Sequence, residues 1–242
     1  MKKILLLQFS RNKDKREKIK DTFQKAFLNQ GLDIEIVGFP ATDEVPDKNL
    51  FKKYDRVIFS GSELSFEGKD EPEEVRQLAR QVAENLRDFV FTLKESKTPS
   101  LAVCFGHQVF GYLHGVQVAQ DECRGKAGTF KVILTEKGKK SPLLKDLPAE
   151  FYAGYMHQDA LCSKPEVAEI LATGEYCKCA ILDYGNNSFT TQFHPEFSKG
   201  ALKERRQEYP KYFERQMYPQ DEKDFKDTGD AQKILRNFIV NF

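Results

Sequence analysis

The chain has 242 residues, which is enough for one large α/β domain or two small ones, and we favour one. Hydrophobic residues make up 40% and charged residues 31%, which is typical of a folded globular protein and excludes a disordered one. Lys and Arg total 38 against 37 Asp and Glu, so the charge favours neither a nucleic acid nor an anionic membrane as a partner.

The first half of the chain alternates strands and helices. Short apolar runs predict the strands, and apolar residues at three- and four-residue steps predict the helices. The elements are, in order, strand Ile4–Gln8, helix Arg11–Asn29, strand Leu32–Phe39, strand Arg56–Phe59, helix Glu73–Glu95, strand Ser100–Val103 and helix Phe105–His114. This order indicates a parallel sheet with helices on both faces. Because the run Ile4–Leu7 is too short for a signal peptide or a membrane span, we interpret it as a first buried strand.

The second half is richer in strands, and short β-like runs separated by Gly, Asn and Pro predict an antiparallel arrangement. These runs are Gly115–Ala119, Thr129–Thr135, Glu150–Tyr155, Glu169–Thr173, Cys179–Asp183 and Ser188–Phe193. Two helices, Lys199–Met217 and Asp230–Phe242, follow. The second helix offers an apolar face for burial, made of Ile234, Leu235, Phe238 and Ile239. We therefore divide the chain into a domain of residues 1–198 and a C-terminal helical extension, residues 199–242, packed on it.

Cys104 stands where a predicted strand turns into a helix. The first N–H groups of that helix and its dipole favour a thiolate at this point. Gly106 has no Cβ, so the chain can turn most tightly at this point. The five Cys are odd in number and irregularly spaced, which favours reduced thiols over a disulfide framework, so we expect a cytoplasmic protein. On these residues alone, a buried structural thiol and a reactive one both remain open.

His194 and Glu196 are candidates for a base and the group that orients it. Pro195 between them disfavours a helix, and in an extended segment side chains two residues apart share a face. A carboxylate can then hold the imidazole, as a thiol nucleophile requires. An exposed loop with a chance His-x-Glu pair is the alternative.

Together, Cys104-Phe105-Gly106-His107-Gln108 and His194-Pro195-Glu196 resemble the class I glutamine amidotransferases and related γ-glutamyl hydrolases. The resemblance covers roughly Ile4 to Ser198. It implies a flavodoxin-like α/β fold, with a mostly parallel sheet, helices on both faces and a small antiparallel sheet. It also implies a catalytic triad of Cys104, His194 and Glu196. Within the family, the segment Cys104–Gln108 together with His157-Gln158-Asp159 most resembles the cytosolic γ-glutamyl peptidases.

The resemblance also implies roles for residues around the triad. The backbone N–H groups of Phe105 and of Gly61, in Ser60-Gly61-Ser62, would form the oxyanion hole. Gln108 would bind the glutamine moiety, and His157 and Gln158 would line the pocket for its amino-acid head. No cofactor or metal is implied.

The other His and Cys residues are interpreted as structural. His107 and His114 are assigned to packing or to the surface. Cys177 and Cys179 would share a strand face, but two thiols without further ligands make a poor zinc site. Cys123 and Cys162 are also interpreted as structural.

Two positions depart from the family pattern. Ala102 stands two residues before the nucleophile where the family usually has Gly, and we expect a slightly tighter turn with retained chemistry. Ala160-Leu161 follows Asp159 where many members have Glu-Val, which weakens any transfer of substrate specificity from that segment.

Three functions are compatible with this pattern. The first is a hydrolase that acts alone on glutamine or another γ-glutamyl small molecule. The second is a glutaminase subunit that supplies ammonia to a separate synthetase, as in guanylate synthesis. The third is a catalytically idle regulatory or binding module, which we disfavour because all three triad positions are filled.

Overall fold

The computed structural model of the chain describes residues 1–68, 71–120, 125–175, 177–214 and 218–242. Cys123, which the sequence assigned to a structural role, lies outside these residues. Among the described residues, no helix combines the length and apolar character needed to cross a membrane.

Strands and helices alternate through residue 113, and strands dominate from there to residue 191. The elements of the first half are β1 (Lys2–Phe9), α1 (Lys13–Asn29), β2 (Ile34–Pro40), β3 (Arg56–Ser62), α2 (Glu73–Asn85), α3 (Arg87–Ser96), β4 (Ser100–Val103) and α4 (Phe105–Leu113). Those of the second half are β5 (Val118–Gln120), β6 (Lys126–Leu134), β7 (Glu150–His157), β8 (Asp159–Leu161), β9 (Glu169–Gly174), β10 (Cys177–Asp183), β11 (Ser188–Thr191), α5 (Lys199–Glu208), α6 (Pro210–Glu214), β12 (Tyr218–Pro219) and α7 (Gly229–Val240).

A ten-stranded mixed sheet organises the fold. Its parallel part has the order β2-β1-β3-β4-β11. Beyond β11 the sheet continues through β10, β9 and β6 with antiparallel pairing, and β7 and β12 both pair with β6. Strands β5 and β8 form a separate two-stranded antiparallel sheet. The predicted fold class, a mostly parallel α/β sheet with a small antiparallel sheet and a helical C-terminal end, is confirmed.

Helices cover the sheet on both faces and form two large apolar cores. The first core contains buried residues of α1 and α7, together with Tyr155 of β7 and Phe193 after β11. The second contains residues of α2, α3 and α4. The four α7 residues predicted to be buried all lie in the first core: Ile234, Leu235, Phe238 and Ile239. The division of the chain at residue 198 stays a prediction, because this packing marks no boundary.

Two predicted helices are each interrupted. The helix predicted over Glu73–Glu95 is broken at Leu86, whose buried side chain lies in the second core between α2 and α3. The helix predicted over Lys199–Met217 stops at Glu208 because Pro210 has no N–H and disfavours a helical Tyr209. Met217 lies outside the described residues.

Cys177 and Cys179 do not share a strand face as expected. The β9–β10 pairing shifts register between Cys177 and Ile181, so the alternation of faces is interrupted. Cys177 packs in the first core and Cys179 in the second.

Candidate active site

The eight residues proposed for the site from the sequence line one cavity of about 410 Å³. They are Cys104, His194, Glu196, Gly61, Phe105, Gln108, His157 and Gln158. The cavity lies at the carboxyl ends of β3, β4 and β11, where parallel α/β sheets commonly bind ligands. The structure therefore brings the residues together, while their catalytic roles stay predictions.

Cys104 has a backbone conformation that non-glycine residues rarely adopt. Its φ is 52° and its ψ is −101°, at the junction of β4 and α4. The Cys104 N–H donates to the carbonyl of Thr191 at 2.8 Å, and its carbonyl accepts from the Gln108 N–H at 3.1 Å. A strained residue held by its surroundings is typical of a nucleophile elbow.

Gly106 is required by the close packing behind this elbow. A Cβ at Gly106 would lie 2.7 Å from Cβ of Phe59 and 3.3 Å from Cβ of Ala102. Ala102 thus fills the space beside Gly106. We still predict, without a structural test, that Ala102 makes the elbow tighter than a Gly at residue 102 would.

His194 and Glu196 form a buried hydrogen-bonded pair. Nδ1 of His194 lies 2.7 Å from Oε1 of Glu196, and both side chains are more than 90% buried. The backbone N–H of His194 donates to the carbonyl of Gly154 at 2.8 Å, and this bond connects the segment after β11 to β7. The segment after His194 is not extended as expected, because the Phe197 N–H donates to the His194 carbonyl at 3.2 Å and closes a turn over residues 194–197. This turn, and not alternation along a strand, brings the Glu196 carboxylate to the imidazole.

The environment of His194 favours its protonated form. Burial alone would lower the pKa of His194, but the negative charges of Glu196 and of a Cys104 thiolate, with hydrogen bonds to both, outweigh it and raise the pKa to about 10. A protonated His194 is the form that can give a proton to a leaving group.

Phe197 packs directly on the imidazole of His194. The two ring centroids are 4.2 Å apart and the planes differ by 5°. Phe197 is buried with Leu202 of α5 and Phe213 of α6. These two helices therefore help to fix the orientation of His194.

The two residues expected to form the oxyanion hole, Phe105 and Gly61, lie next to Cys104. The first intrahelical bond of α4 comes from the Gln108 N–H, so the Phe105 N–H has no helical partner. A Cβ on Gly61 would lie 2.7 Å from Cε1 of His194 and 3.5 Å from Cβ of Cys104. Only glycine lets the backbone come this close to both side chains.

One side of the cavity, here called the α4 wall, is lined by residues 62–65 of loop 62–68, by Gln108 of α4 and by residues 157–159. The Asp159 carboxylate accepts hydrogen bonds from the Ser65 hydroxyl at 2.6 Å and from the N–H groups of Phe66 and Glu67 at 2.7 and 3.2 Å. The Gln108 amide donates to the Asp159 carbonyl at 2.7 Å. Asp159 thus holds the loop and α4 in place.

His157 and Gln158 complete the α4 wall. Burial and the charge of Lys126 lower the pKa of His157 well below its ordinary value, so the ring is neutral. Nδ1 of His157 lies 3.0 Å from the carbonyl oxygen of Asp159. Among the described residues, Nε2 of His157 and Oε1 of Gln158 are buried without a hydrogen-bond partner, and groups of this kind are available to a bound ligand.

His107 packs as predicted. Its ring is buried against β11, with Nδ1 2.7 Å from Oγ1 of Thr190, and burial lowers the pKa of His107 to about 3. His114 is half-buried, with Nδ1 2.7 Å from the Phe110 carbonyl oxygen.

Sequence reasoning missed the structural contributions of Asp159 and Phe197. Asp159 was noted only as part of a motif, and its bonds to loop 62–68 span more than 90 positions of the chain. For Phe197 the sequence did offer a signal, because an aromatic residue three positions after His194 can stack on the imidazole when the chain turns.

Comparison with known proteins agrees with this geometry. A family model described as "Glutamine amidotransferase class-I" matches residues 13–210. Gamma-glutamyl peptidase 3 of Arabidopsis thaliana is 27% identical over 66% of this chain and 61% of its own length. A subunit of glutamine-hydrolyzing GMP synthase from Methanocaldococcus jannaschii is 34% identical over 42% of this chain and 52% of its own length. The chain thus spans about half to three fifths of these two relatives.

Solved structures support the fold assignment. The crystal structure of a glutamine amidotransferase from Thermotoga maritima superposes with a TM-score of 0.72 at 17% identity, covering 99% of this chain and 96% of that one. At this identity the likeness concerns the fold alone. Because the family model matches well over half of the residues, the chain belongs to the class-I glutamine amidotransferase family.

Proposed function

We propose that the chain hydrolyses γ-glutamyl amide bonds through a thioester on Cys104. The thiolate attacks the γ-carbonyl carbon, and the negative charge on the oxygen is stabilised by the N–H groups of Phe105 and Gly61. The C–N bond then breaks as the His194 imidazolium gives its proton to the departing amine. His194 next takes a proton from water, which attacks the thioester and releases glutamate and the thiolate.

The remaining site residues support these steps. Glu196 orients His194 and stabilises its charged form. Gln108, His157 and Gln158 bind the γ-glutamyl group against the α4 wall. Each step uses only groups of this chain and water.

One observation carries the proposal above the others. Cys104 has its strained positive φ at the point where the buried His194–Glu196 pair reaches the same cavity. A structural thiol needs neither this backbone conformation nor a charged partner. The family match and the relative named as a gamma-glutamyl peptidase agree with the proposal.

A second candidate function is the supply of ammonia to a separate synthetase. It is favoured by the relative named as part of a glutamine-hydrolyzing GMP synthase. The same Cys104 chemistry would then act on glutamine, and the synthetase would consume the ammonia.

Assays of the purified chain test these proposals. Glutamate release from glutamine and from γ-glutamyl peptides would be measured with and without an added synthetase, with Cys104→Ala as control. Turnover by the chain alone supports the first function, and turnover that appears only with the synthetase supports the second. No turnover under either condition, with a Cys104 thiol that alkylates slowly, would indicate an idle module.

A further inference from the structure

The cavity has a second side, formed by residues of α1 and of the α5–α6 segment. This second side, here called the α5 wall, is lined by Lys15, Ile19 and Thr22 of α1 and by Arg205, Tyr209 and Tyr212 from the α5–α6 segment. The three α1 residues follow steps of four and three residues, which places them on one face of that helix. Arg205 belongs to α5, Tyr209 lies between α5 and α6, and Tyr212 belongs to α6.

The position of His194 identifies which part of a substrate the α5 wall would meet. A general acid must lie beside the atom that it protonates, so the departing amine lies on the His194 side of Cys104. His194 directly follows Phe193, which packs in the first core together with α1. Gln108 belongs to α4, which packs in the second core on the other face of the sheet. Phe197, stacked on His194, leads directly into α5. The amine therefore faces the α5 wall.

The lining of the α5 wall exceeds what ammonia needs. The whole cavity, including the part beside the triad and the α4 wall, measures about 410 Å³, within the range of about 300–1,000 Å³ found for pockets that hold drug-sized ligands. Ile19, Tyr209 and Tyr212 supply apolar and aromatic surface. A leaving ammonia molecule could use none of this surface.

The two cations of the α5 wall have long ion pairs. Nζ of Lys15 lies 3.7 Å from Glu63, and the Arg205 guanidinium lies 3.6 Å from Glu208. By contrast, the Lys18–Glu208 pair that joins α1 to α5 measures 2.6 Å. Lys15 and Arg205 therefore hold their carboxylate partners loosely and can exchange them for a ligand carboxylate.

We propose that the α5 wall is a subsite for the leaving amine, which is an amino acid with an apolar or aromatic side chain and a free carboxylate. The inference rests on the proposed hydrolysis of γ-glutamyl amides. Lys15 and Arg205 hold the carboxylate, and Tyr209, Tyr212 and Ile19 contact the side chain.

Three substrates with the same acyl group test the subsite. They are γ-glutamyl-phenylalanine, its phenylalaninamide counterpart, in which the carboxylate is masked, and glutamine. The kcat/KM for γ-glutamyl-phenylalanine should exceed that for glutamine by at least about tenfold, and masking the carboxylate should lose about tenfold, as expected for a charge-assisted hydrogen bond.

Variants assign the effect to the wall. Arg205→Gln and Lys15→Gln should each lower the ratio of kcat/KM for the peptide to kcat/KM for glutamine several-fold, and Arg205→Lys should restore part of it. The ratio cancels any effect on the triad, which is needed because Arg205 lies 5.8 Å from the Phe197 ring. Lys25→Gln is the matched control, since it removes a charge from an exposed position of α1. Its ratio should equal that of the wild type.

The outcomes separate this inference from the proposed function. Hydrolysis of glutamine without preference for the peptide, or equal ratios in all variants, would overturn the leaving-amine subsite and leave the hydrolase intact. If no substrate yields glutamate, the proposed function fails, and the subsite fails with it.

Discussion

Different interactions fix the residues of each wall of the cavity. In the α4 wall, the buried Asp159 carboxylate accepts three hydrogen bonds from loop 62–68. At the α5 wall, the ion pairs of Lys15 and Arg205, and the neighbouring Lys18–Glu208 pair, are partly or largely exposed to solvent. Buried charge-assisted bonds position groups rigidly, whereas exposed ion pairs contribute little to stability. The contrast suits a site in which the acyl group is constant and the amine varies.

The largest expected effect on activity is that of replacing Cys104, which lies between the two walls. Cys104→Ser should lower glutamate release by at least about 10³-fold, because a hydroxyl is far less acidic than a thiol in this setting. Thermal unfolding should match the wild type, since the two side chains are similar in size. Retained activity would contradict the triad assignment.

Glu196→Gln should lower kcat/KM roughly 10²- to 10³-fold by removing the charge that orients and stabilises protonated His194. Glu196 is among the groups that raise the pKa of His194 to about 10. Because the protonated imidazole donates to the leaving amine, activity falls as pH rises through this pKa. The alkaline limb of the kcat/KM profile should therefore move to lower pH in the variant. An unmoved limb would mean that Glu196 does not act through His194.

Asp159→Ala tests the rigidity of the α4 wall. Loss of the bonds to Ser65, Phe66 and Glu67 should lower the free energy of unfolding by about 3 kcal/mol and raise KM for every γ-glutamyl substrate alike. Urea unfolding and steady-state kinetics measure the two effects. Asp159→Asn keeps an acceptor oxygen and should lose less. If Asp159→Ala instead changed the preference among leaving amines, the assignment of Asp159 to the γ-glutamyl side of the cavity would be wrong.

The smallest effect is expected in the α5 wall. Glu208→Gln removes the shared partner of Lys18 and Arg205. Because these groups are exposed, the urea midpoint should stay within experimental error of the wild type, while the peptide-to-glutamine ratio changes through Arg205. A large loss of stability would show that the α5 wall is as rigid as the α4 wall.

The sequence predicted the features that depend on local patterns. The turn at Cys104, the pairing of His194 with Glu196 and the buried face of α7 follow from spacing within a few residues. The break at Leu86 and the register shift near Cys177 depend on packing against the sheet, which periodicity does not reveal. The role of Asp159 depends on pairing between β5 and β8 and on a loop far away along the chain. Strand β8, with three residues, was too short to be recognised.

The α5 wall was beyond sequence reasoning for a related reason. Lys15 and Arg205 belong to helices at opposite ends of the family match, and only the fold brings α1 and α5 to the same cavity. The sequence pattern predicts the helices themselves, but it does not show that they line a cavity.

The most direct test of the proposed chemistry is detection of the covalent intermediate on Cys104. The wild-type chain would be mixed with a γ-glutamyl substrate, quenched in acid within the first turnovers and digested for mass spectrometry. We expect one γ-glutamyl group on the peptide that contains Cys104 and none on the same peptide of Cys104→Ser. Rapid glutamate release with no such adduct, or an adduct on another residue, would contradict the thioester mechanism.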